Sequence, residues 1–296
     1  MPPIGESLAW NEVSMRSTLV ALLAVTMLLV GACSNSGTTS SQPDSRGLAH
    51  IHGLGINPAD GALYAGTHFG VYRIANERDP ELVGGVVQDF MGFTVAGPDH
   101  FLGSGHPGEN DRDAPPHLGL IETTDGGQSW TSVSMAGEAD FHALDYRHGL
   151  VYGLNSRTQT VMVSADKRAW DQRAAISAVD IAVSPHNANE VLATTADGLA
   201  RSLDRAKTFT PVGAQPQLAL LSWPEDGPVI GIDPFGTVYA SQDSGATWQA
   251  RRALGEQTQA VLAAGRGLVF VATDNGIHRS SDNGTTFEAF YAFDAQ

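Results

Sequence analysis

Five aspartates recur at nearly constant spacing and constrain the fold of this chain more than any other feature. The intervals between them are 41, 38, 39 and 39 residues. They are Asp125, Asp166, Asp204, Asp243 and Asp282. A period of about 40 residues is typical of proteins in which one supersecondary unit repeats and neighbouring copies cover each other's apolar faces. We therefore expect a repeat protein whose fold follows from one unit.

Each aspartate lies in a short motif that predicts a tight turn. Residues 123–130, 241–248 and 280–287 read Ser/Thr-x-Asp-x-Gly-x-x-Trp/Phe, whereas residues 202–209 carry Ala206 instead of glycine and residues 164–170 are one residue shorter. The aspartate can accept backbone N–H groups, the glycine permits a positive φ, and the aromatic ring can pack under the loop. These residues are predicted to be structural: Asp125, Trp130, Asp166, Trp170, Asp204, Phe209, Asp243, Trp248, Asp282 and Phe287.

The motif resembles the Asp-box, or BNR, hairpin of sialidases, sortilin-type receptors and many secreted bacterial propellers. Among the last group are lipoproteins often labelled glycosyl hydrolase or exo-sialidase-like. The resemblance implies a β-propeller, and it does not by itself imply an activity.

The unit around Asp204 predicts a four-stranded antiparallel meander. Short strands over residues 179–183, 190–195, 199–202 and 208–212 are separated by turn signals. The same pattern occurs six times, and the six copies begin at His50, Asp89, Asp140, Ser177, Leu218 and Gln259. The sequence thus predicts an all-β, six-bladed propeller. Seven blades are the alternative, if a segment before His50 pairs with the last strand.

The N-terminus resembles that of a bacterial lipoprotein. An apolar run over residues 17–30 has the length of a signal-peptide core and is short for a membrane span. It ends at Val30-Gly-Ala-Cys33, which resembles a lipobox, and Cys33 is the only cysteine. We predict a signal peptide over 1–32, with Met1 or Met15 as its start, a flexible tether over 33–48 and the propeller over 49–296. The lipid on Cys33 would anchor the protein on the extracytoplasmic face of the cell membrane.

The net charge of −15 limits the partners of this protein. Such an acidic chain is a poor ligand for nucleic acid and for anionic lipid headgroups. We therefore expect no nucleic-acid partner, and membrane contact through the lipid alone.

Six of the ten histidines are predicted to lie on one face of the ring. In a meander, the start of strand 1, the end of strand 2 and the start of strand 3 share a face, opposite the first turns and the aspartate turns. His50, His52, His68, His106, His117 and His142 fall at the former positions, all in blades 1 to 3. By contrast, His100, His148 and His186 fall in first turns, and His278 lies inside a strand where a structural role is expected.

Aligned first strands place His52, Met91 and His142 at one level. Two residues earlier they present His50, Asp89 and Asp140, on the same side if the strands alternate regularly. Imidazole with thioether suits copper, and imidazole with carboxylate suits zinc. The predicted metal ligands are His50, His52, His68, Met91, His106 and His142. The alternative is that these histidines bond backbone carbonyls or water, and that the face binds a partner protein or a small ligand.

Sialidase chemistry is the rival suggested by the resemblance. It needs a cluster of arginines around a carboxylate, whereas the candidate face offers only Arg46, Arg112 and Arg157, in unrelated loops. The Phe/Tyr-Arg-Ile-Pro motif of that family is absent from the sequence. The sequence therefore favours a lipid-anchored binding protein, with copper or zinc as candidate ligands of its histidine-rich face. A protein-assembly scaffold and a glycoside hydrolase are the alternatives.

Overall fold

The computed structural model describes Leu48 and residues 50–76, 80–109, 111–213 and 215–293. Within these ranges the chain forms 24 strands in six four-stranded antiparallel sheets. The predicted signal peptide, Cys33 and residues 34–47 of the predicted tether lie outside the described residues. Among the residues that are described, no helix is long and apolar enough to cross a bilayer.

Each sheet is a meander of four strands consecutive in sequence. Blade 1 comprises β1 (Ile51–Ile56), β2 (Leu63–Thr67), β3 (Gly70–Ile74) and β4 (Pro80–Leu82). Blade 2 comprises β5 (Asp89–Gly97), β6 (His100–His106), β7 (Leu120–Thr123) and β8 (Thr131–Ser134). Blade 3 comprises β9 (Phe141–Arg147), β10 (Leu150–Asn155), β11 (Thr160–Ser164) and β12 (Asp171–Ala175).

The second half of the ring repeats this organisation. Blade 4 comprises β13 (Ala178–Val183), β14 (Val191–Thr195), β15 (Gly198–Ser202) and β16 (Thr210–Gly213). Blade 5 comprises β17 (Leu220–Ser222), β18 (Val229–Ile232), β19 (Thr237–Ser241) and β20 (Gln249–Ala253). Blade 6 comprises β21 (Thr258–Gly265), β22 (Leu268–Thr273), β23 (Gly276–Ser280) and β24 (Glu288–Ala292).

The six sheets form a closed ring. Each first strand contacts the first strand of the next blade, and β21 of blade 6 contacts β1 of blade 1. The first strands therefore surround the central channel of a propeller. The prediction of a six-bladed propeller is confirmed. The seven-bladed alternative is wrong, because blade 6 packs directly on blade 1.

The hydrophobic core is divided into six clusters, one between each pair of neighbouring blades. The cluster between blades 6 and 1 includes Leu48, Ile51 and Phe270. Leu48, predicted to end the tether, is only 1% exposed and belongs to this core. A hydrogen bond from the Ile51 N–H to Gln259 Oε1 (2.9 Å) also crosses this interface.

The repeated aspartates organise turns through one hydrogen-bond pattern. Asp125 Oδ1 accepts the Ser129 N–H (3.0 Å), and Asp125 Oδ2 accepts the Ser129 hydroxyl (2.6 Å). Asp204, Asp243 and Asp282 accept the corresponding groups of Thr208, Thr247 and Thr286. These hydrogen bonds lower the pKa of the four carboxyls from 3.8 to about 2. In the shorter copy, Asp166 accepts the N–H groups of Arg168 and Ala169.

Candidate functional site

Three first strands carry a β-bulge at the same place, and this bulge positions the candidate residues. In β1 the register moves from Ile51↔Thr67 to Gly53↔Gly66, so that His52 is the extra residue. Met91 in β5 and His142 in β9 are the extra residues of the corresponding irregularities. A bulge bends the strand and redirects a side chain. The equivalence of His52, Met91 and His142 is thus present in the structure, although regular alternation along the strand is not what places them.

His52 and His68 approach each other through the same ring atom. Their Nε2 atoms are 3.3 Å apart, and the two rings meet edge to face with centroids 4.5 Å apart. The His50 ring is 5.2 Å from that of His68, centroid to centroid. His50 has a φ of 60°, in the left-handed region, immediately before β1. The His68 ring therefore lies next to two other imidazoles of blade 1.

Asp89 connects blade 1 to blade 2. Its Oδ1 lies 2.8 Å from His68 Nδ1, and its Oδ2 lies 3.0 Å from His106 Nδ1. Asp89 and His106 are paired residues of β5 and β6. Gly105 makes this close pairing possible, because a Cβ there would lie 2.0 Å from the backbone oxygen of Asp89. One carboxylate thus contacts histidines of two blades.

Asp140 is the centre of a second group. Its Oδ2 lies 3.0 Å from His142 Nε2 and accepts the Ser156 hydroxyl at 3.0 Å. His106 Nε2 and His117 Nδ1 lie farther from the same oxygen, at 3.6 and 3.8 Å. The Asp140 side chain is only 7% exposed. This group joins β6, the loop before β7 and the start of β9.

The pKa of Asp140 reflects two opposing effects. Burial favours the neutral acid, but the hydrogen bonds from His142 and Ser156 and the nearby imidazoles outweigh it and lower the pKa below 3.8. The carboxylate is therefore ionised at neutral pH and can only accept hydrogen bonds. It is a suitable partner for a cation.

His52 is held in its neutral form. Burial, followed by the electrostatic effect of His68, lowers its pKa from 6.5 to about 4, against the opposing charge of Asp89. His142 also contributes to this lowering, which places it within electrostatic range of His52. A neutral imidazole has one nitrogen lone pair available to a metal ion.

Two sets of side chains on this face have the proximity needed to hold a metal ion. One comprises His52, His68 and Asp89, and the other His106, His117 and Asp140; in each, three ligand atoms lie within 4.8 Å of one another. The predicted ligands His52, His68 and His106 are therefore brought together, but in two sets. His50 and His142 lie beside them, and Met91 lies half-buried on the strand that carries Asp89.

Three residues that lie in the two sets are missing from the ligands predicted from the sequence: Asp89, His117 and Asp140. The sequence places Asp89 and Asp140 at the channel but not among the ligands, and in the structure both carboxylates lie close to His106. His117 was expected to open a strand, but it lies in the loop before β7, which begins at Leu120. The pairing of the first two strands of blade 2 could have indicated the contact between Asp89 and His106, because these residues lie opposite each other at the start of β5 and the end of β6.

The remaining histidines have other partners. His100 binds Glu122, His278 Nε2 lies 3.0 Å from Glu256 Oε2, and His148 Nε2 lies 2.8 Å from the Ser184 carbonyl oxygen. His186 lines a recess of about 250 Å³ between blades 4 and 5, beside the aspartate turn of blade 5. The contact of His278 fits the structural role expected for it, and His148 and His186, which lie in blades 3 and 4 outside both sets of candidate ligands, provide controls.

Comparisons with known proteins support the fold. No family model matches the chain, and no curated protein matches its sequence. Among solved structures, the GH74 xyloglucanase of Xanthomonas campestris superposes with a TM-score of 0.54 at 18% identity, over 82% of this chain and 38% of the enzyme. The chain thus spans well under half of that enzyme's length.

Two further structures are similar over most of their length. YCF48 bound to D1 peptide gives a TM-score of 0.51 at 17% identity, over 81% of this chain and 82% of YCF48. A chain of the nidogen/laminin complex gives 0.61 at 10% identity, over 78% and 93%. At such identities the likeness shows the fold alone.

Proposed function

We propose that this propeller is a metal-binding protein whose ligands are the histidines and aspartates of blades 1 to 3. The observation that carries the proposal is the 3.3 Å separation of His52 Nε2 and His68 Nε2. Two nitrogens bound about 2.0–2.1 Å from one tetrahedral ion lie about 3.3 Å apart. The first-strand bulges hold this arrangement on a rigid scaffold, as a binding site requires.

The donor set favours a borderline divalent ion. Neutral imidazole suits zinc and copper, and the carboxylates of Asp89 and Asp140 add the negative charge that zinc sites commonly contain. A soft-metal site would instead be rich in thiolate, and the described residues include no cysteine. Zinc(II) and copper(II) are therefore the ions to test.

The first prediction concerns metal uptake. The purified propeller should bind Zn²⁺ or Cu²⁺ in a titration followed by calorimetry, and less tightly in acid, because ligation requires unprotonated imidazole. The double variant His68→Ala/His106→Ala should weaken uptake at least about 100-fold, since each of the two sets of side chains loses a donor and its link to Asp89. The matched control is His148→Ala/His186→Ala, which should bind like the parent.

Two outcomes would contradict metal binding as the function. The first is an absence of uptake by the parent, and the second is equal uptake by both double variants. Either result would favour the second candidate function described below.

Protein docking is that second candidate, and exposed apolar side chains support it. Phe69, Val87, Val179 and Phe235 are 44%, 54%, 60% and 83% exposed. Phe69 lies in the β2–β3 turn and Phe235 in the β18–β19 turn. Val87 lies two residues before β5, and Val179 is the second residue of β13. All four positions are on the same face of the propeller as the histidines. YCF48, a propeller of similar extent, is known in complex with a peptide. The xyloglucanase similarity adds no comparable argument for hydrolysis, because it covers 38% of that enzyme.

We propose further that the protein is an Asp-box propeller anchored by lipid on the extracytoplasmic side of the cell membrane. The repeated turn motif and its shared hydrogen-bond pattern support the first part. The apolar run of residues 17–30 followed by Cys33 supports the second.

The second prediction tests this anchor. Because lipidation requires the thiol, Cys33→Ser should move the protein from the membrane fraction to the soluble fraction of the producing cell. The fold of the propeller, measured by circular dichroism and thermal unfolding, should be unchanged. Retention of Cys33→Ser in the membrane fraction would overturn the anchor assignment.

A further inference from the structure

We propose that the face holds two metal ions in separate centres, and that Asp89 positions one histidine of each centre. This inference rests on the proposed function and extends it to the number of ions and to their coupling. The first centre is defined by His52 and His68, with His50 beside them, and the second centre by His106, His117 and Asp140.

Asp89 determines the direction in which two rings present their free nitrogen. It contacts both His68 and His106 through Nδ1, at 2.8 and 3.0 Å. A carboxylate only accepts hydrogen bonds, so the proton of each neutral ring is at Nδ1 and the lone pair is at Nε2. Carboxylates commonly orient metal-ligating histidines in this way. Asp89 is therefore a positioning residue for both rings.

The two lone pairs point to different places. Across an imidazole ring, Nδ1 and Nε2 face in nearly opposite directions, and Asp89 lies at the Nδ1 edge of both rings. His68 Nε2 faces His52 Nε2 at 3.3 Å, whereas His106 Nε2 faces Asp140 Oδ2 at 3.6 Å. A single ion is thus poorly placed to use both histidines, and two ions are favoured.

Two ring separations in the first centre are close to those of imidazoles that bind one ion. Rings bound through Nε2 to a tetrahedral ion have centroids about 5 Å apart. The observed centroid separations from His68 are 5.2 Å for His50 and 4.5 Å for His52.

The second centre contains buried polar atoms that lack a partner. Among the described residues, His117 Nδ1 and Asp140 Oδ1 are buried and accept or donate no hydrogen bond. Leaving such a buried atom unpaired is unfavourable. His117 Nδ1 and His106 Nε2 lie 3.8 and 3.6 Å from Asp140 Oδ2, too far for hydrogen bonds and within a few tenths of an ångström of the spacing between ligands of one ion. A cation between them satisfies all three side chains.

The experiment counts ions and follows each centre separately. Metal-free protein is titrated with Co²⁺, observed by its visible absorption, and with Zn²⁺, observed by calorimetry and by metal analysis after dialysis. The parent should bind two ions per chain. His52→Ala should retain only the second centre, and His117→Ala only the first, so that each binds one ion tightly.

Asp89→Ala should weaken the binding of both ions by about 10–100-fold, because neither His68 nor His106 is then held in position by the carboxylate. Asp89→Asn keeps the shape of the side chain, but the amide NH₂ donates a hydrogen bond to Nδ1 of one of the two histidines. That ring must then carry its proton at Nε2. The variant should therefore weaken the binding of one ion more than that of the other. The control is Asp111→Ala, which removes a carboxylate from the exposed loop between His106 and His117 and should leave both affinities unchanged. Thermal unfolding of the metal-free variants reports any loss of fold.

The outcomes separate this inference from the proposed function. Binding of one ion by the parent leaves metal binding intact and overturns the two-centre inference. If the parent binds two ions but Asp89→Ala weakens the binding of only one of them, the proposed coupling through Asp89 is refuted. Absence of binding by the parent refutes the proposed function itself.

Discussion

Phe270→Ala is expected to lower the free energy of unfolding by about 3–5 kcal/mol, the usual cost of removing a buried aromatic ring. Phe270 is 5% exposed and packs edge to face on Phe290, with ring centroids 5.2 Å apart. It lies in the cluster between blades 6 and 1. Blade 1 consists of the first four strands in sequence (β1–β4), and blade 6 consists of the last four (β21–β24). Within the described part of the chain, no strand from one end completes the sheet at the other end, so side-chain packing between these two blades closes the ring.

Denaturant unfolding measures this effect. Phe235→Ala is the matched control, because the same ring is removed from a side chain that is 83% exposed, and the change should stay within about 0.5 kcal/mol. A cost below about 1 kcal/mol for Phe270→Ala would contradict the role assigned to this cluster in closing the ring.

Asp180 is expected to make the protein less stable as the pH rises from about 4 to about 7. It lies in β13, and its carboxyl accepts the N–H groups of Ile181 and of Leu221 in the next blade, both at 2.8 Å. Burial raises its pKa from 3.8 to about 7, although these hydrogen bonds oppose the rise and nearby Asp145 adds to it. The group is thus protonated in the folded protein over a pH range where it is ionised in the unfolded chain.

The direction of the pH effect follows from proton binding. Between pH 4 and 7 the folded state binds more protons than the unfolded state, so stability falls as the pH rises and levels off above the folded pKa. Each pKa unit corresponds to about 1.4 kcal/mol, and Asp180 is partly accessible, so we expect a loss of about 2–4 kcal/mol.

Comparison with Asp180→Asn isolates this contribution. Asparagine cannot accept both N–H groups, which adds an offset that is independent of pH. The stability of the variant relative to the parent should therefore improve by about 2–4 kcal/mol between pH 4 and 8. Asp197→Asn, in an exposed turn of the same blade, should run parallel to the parent. A parallel profile for Asp180→Asn as well would refute the expectation.

The fold was predictable because its signals are local. The aspartate turns depend on side chains within a few residues of one another, such as Asp243 and Thr247. Their spacing of about 40 residues then sets the number of strands between turns. Every observed first strand begins within two residues of its predicted start, for example at Asp89 in blade 2 and Leu220 in blade 5.

The candidate site was only partly predictable, because it depends on register and on contacts between blades. Counting along the strands placed His50 and His52 on one side, but the bulge at His52 interrupts that alternation. His117 lies in a loop, and no periodic pattern in the sequence predicts the conformation of that loop. The two centres that we propose depend on which nitrogen of His68 and His106 faces Asp89, and the sequence does not predict this ring orientation.

The sequence by itself determined the repeat unit, the number of blades and the face on which the histidines lie, since each follows from short-range turn chemistry and from strand periodicity. Only the tertiary structure decided which histidines share a partner. Side chains from residues as distant as His68 and Asp89 meet because neighbouring blades pack closely: a Cβ at Gly92 would lie 2.4 Å from the backbone oxygen of Phe141. That packing brings β5 against β9 and places Asp140 within reach of His106.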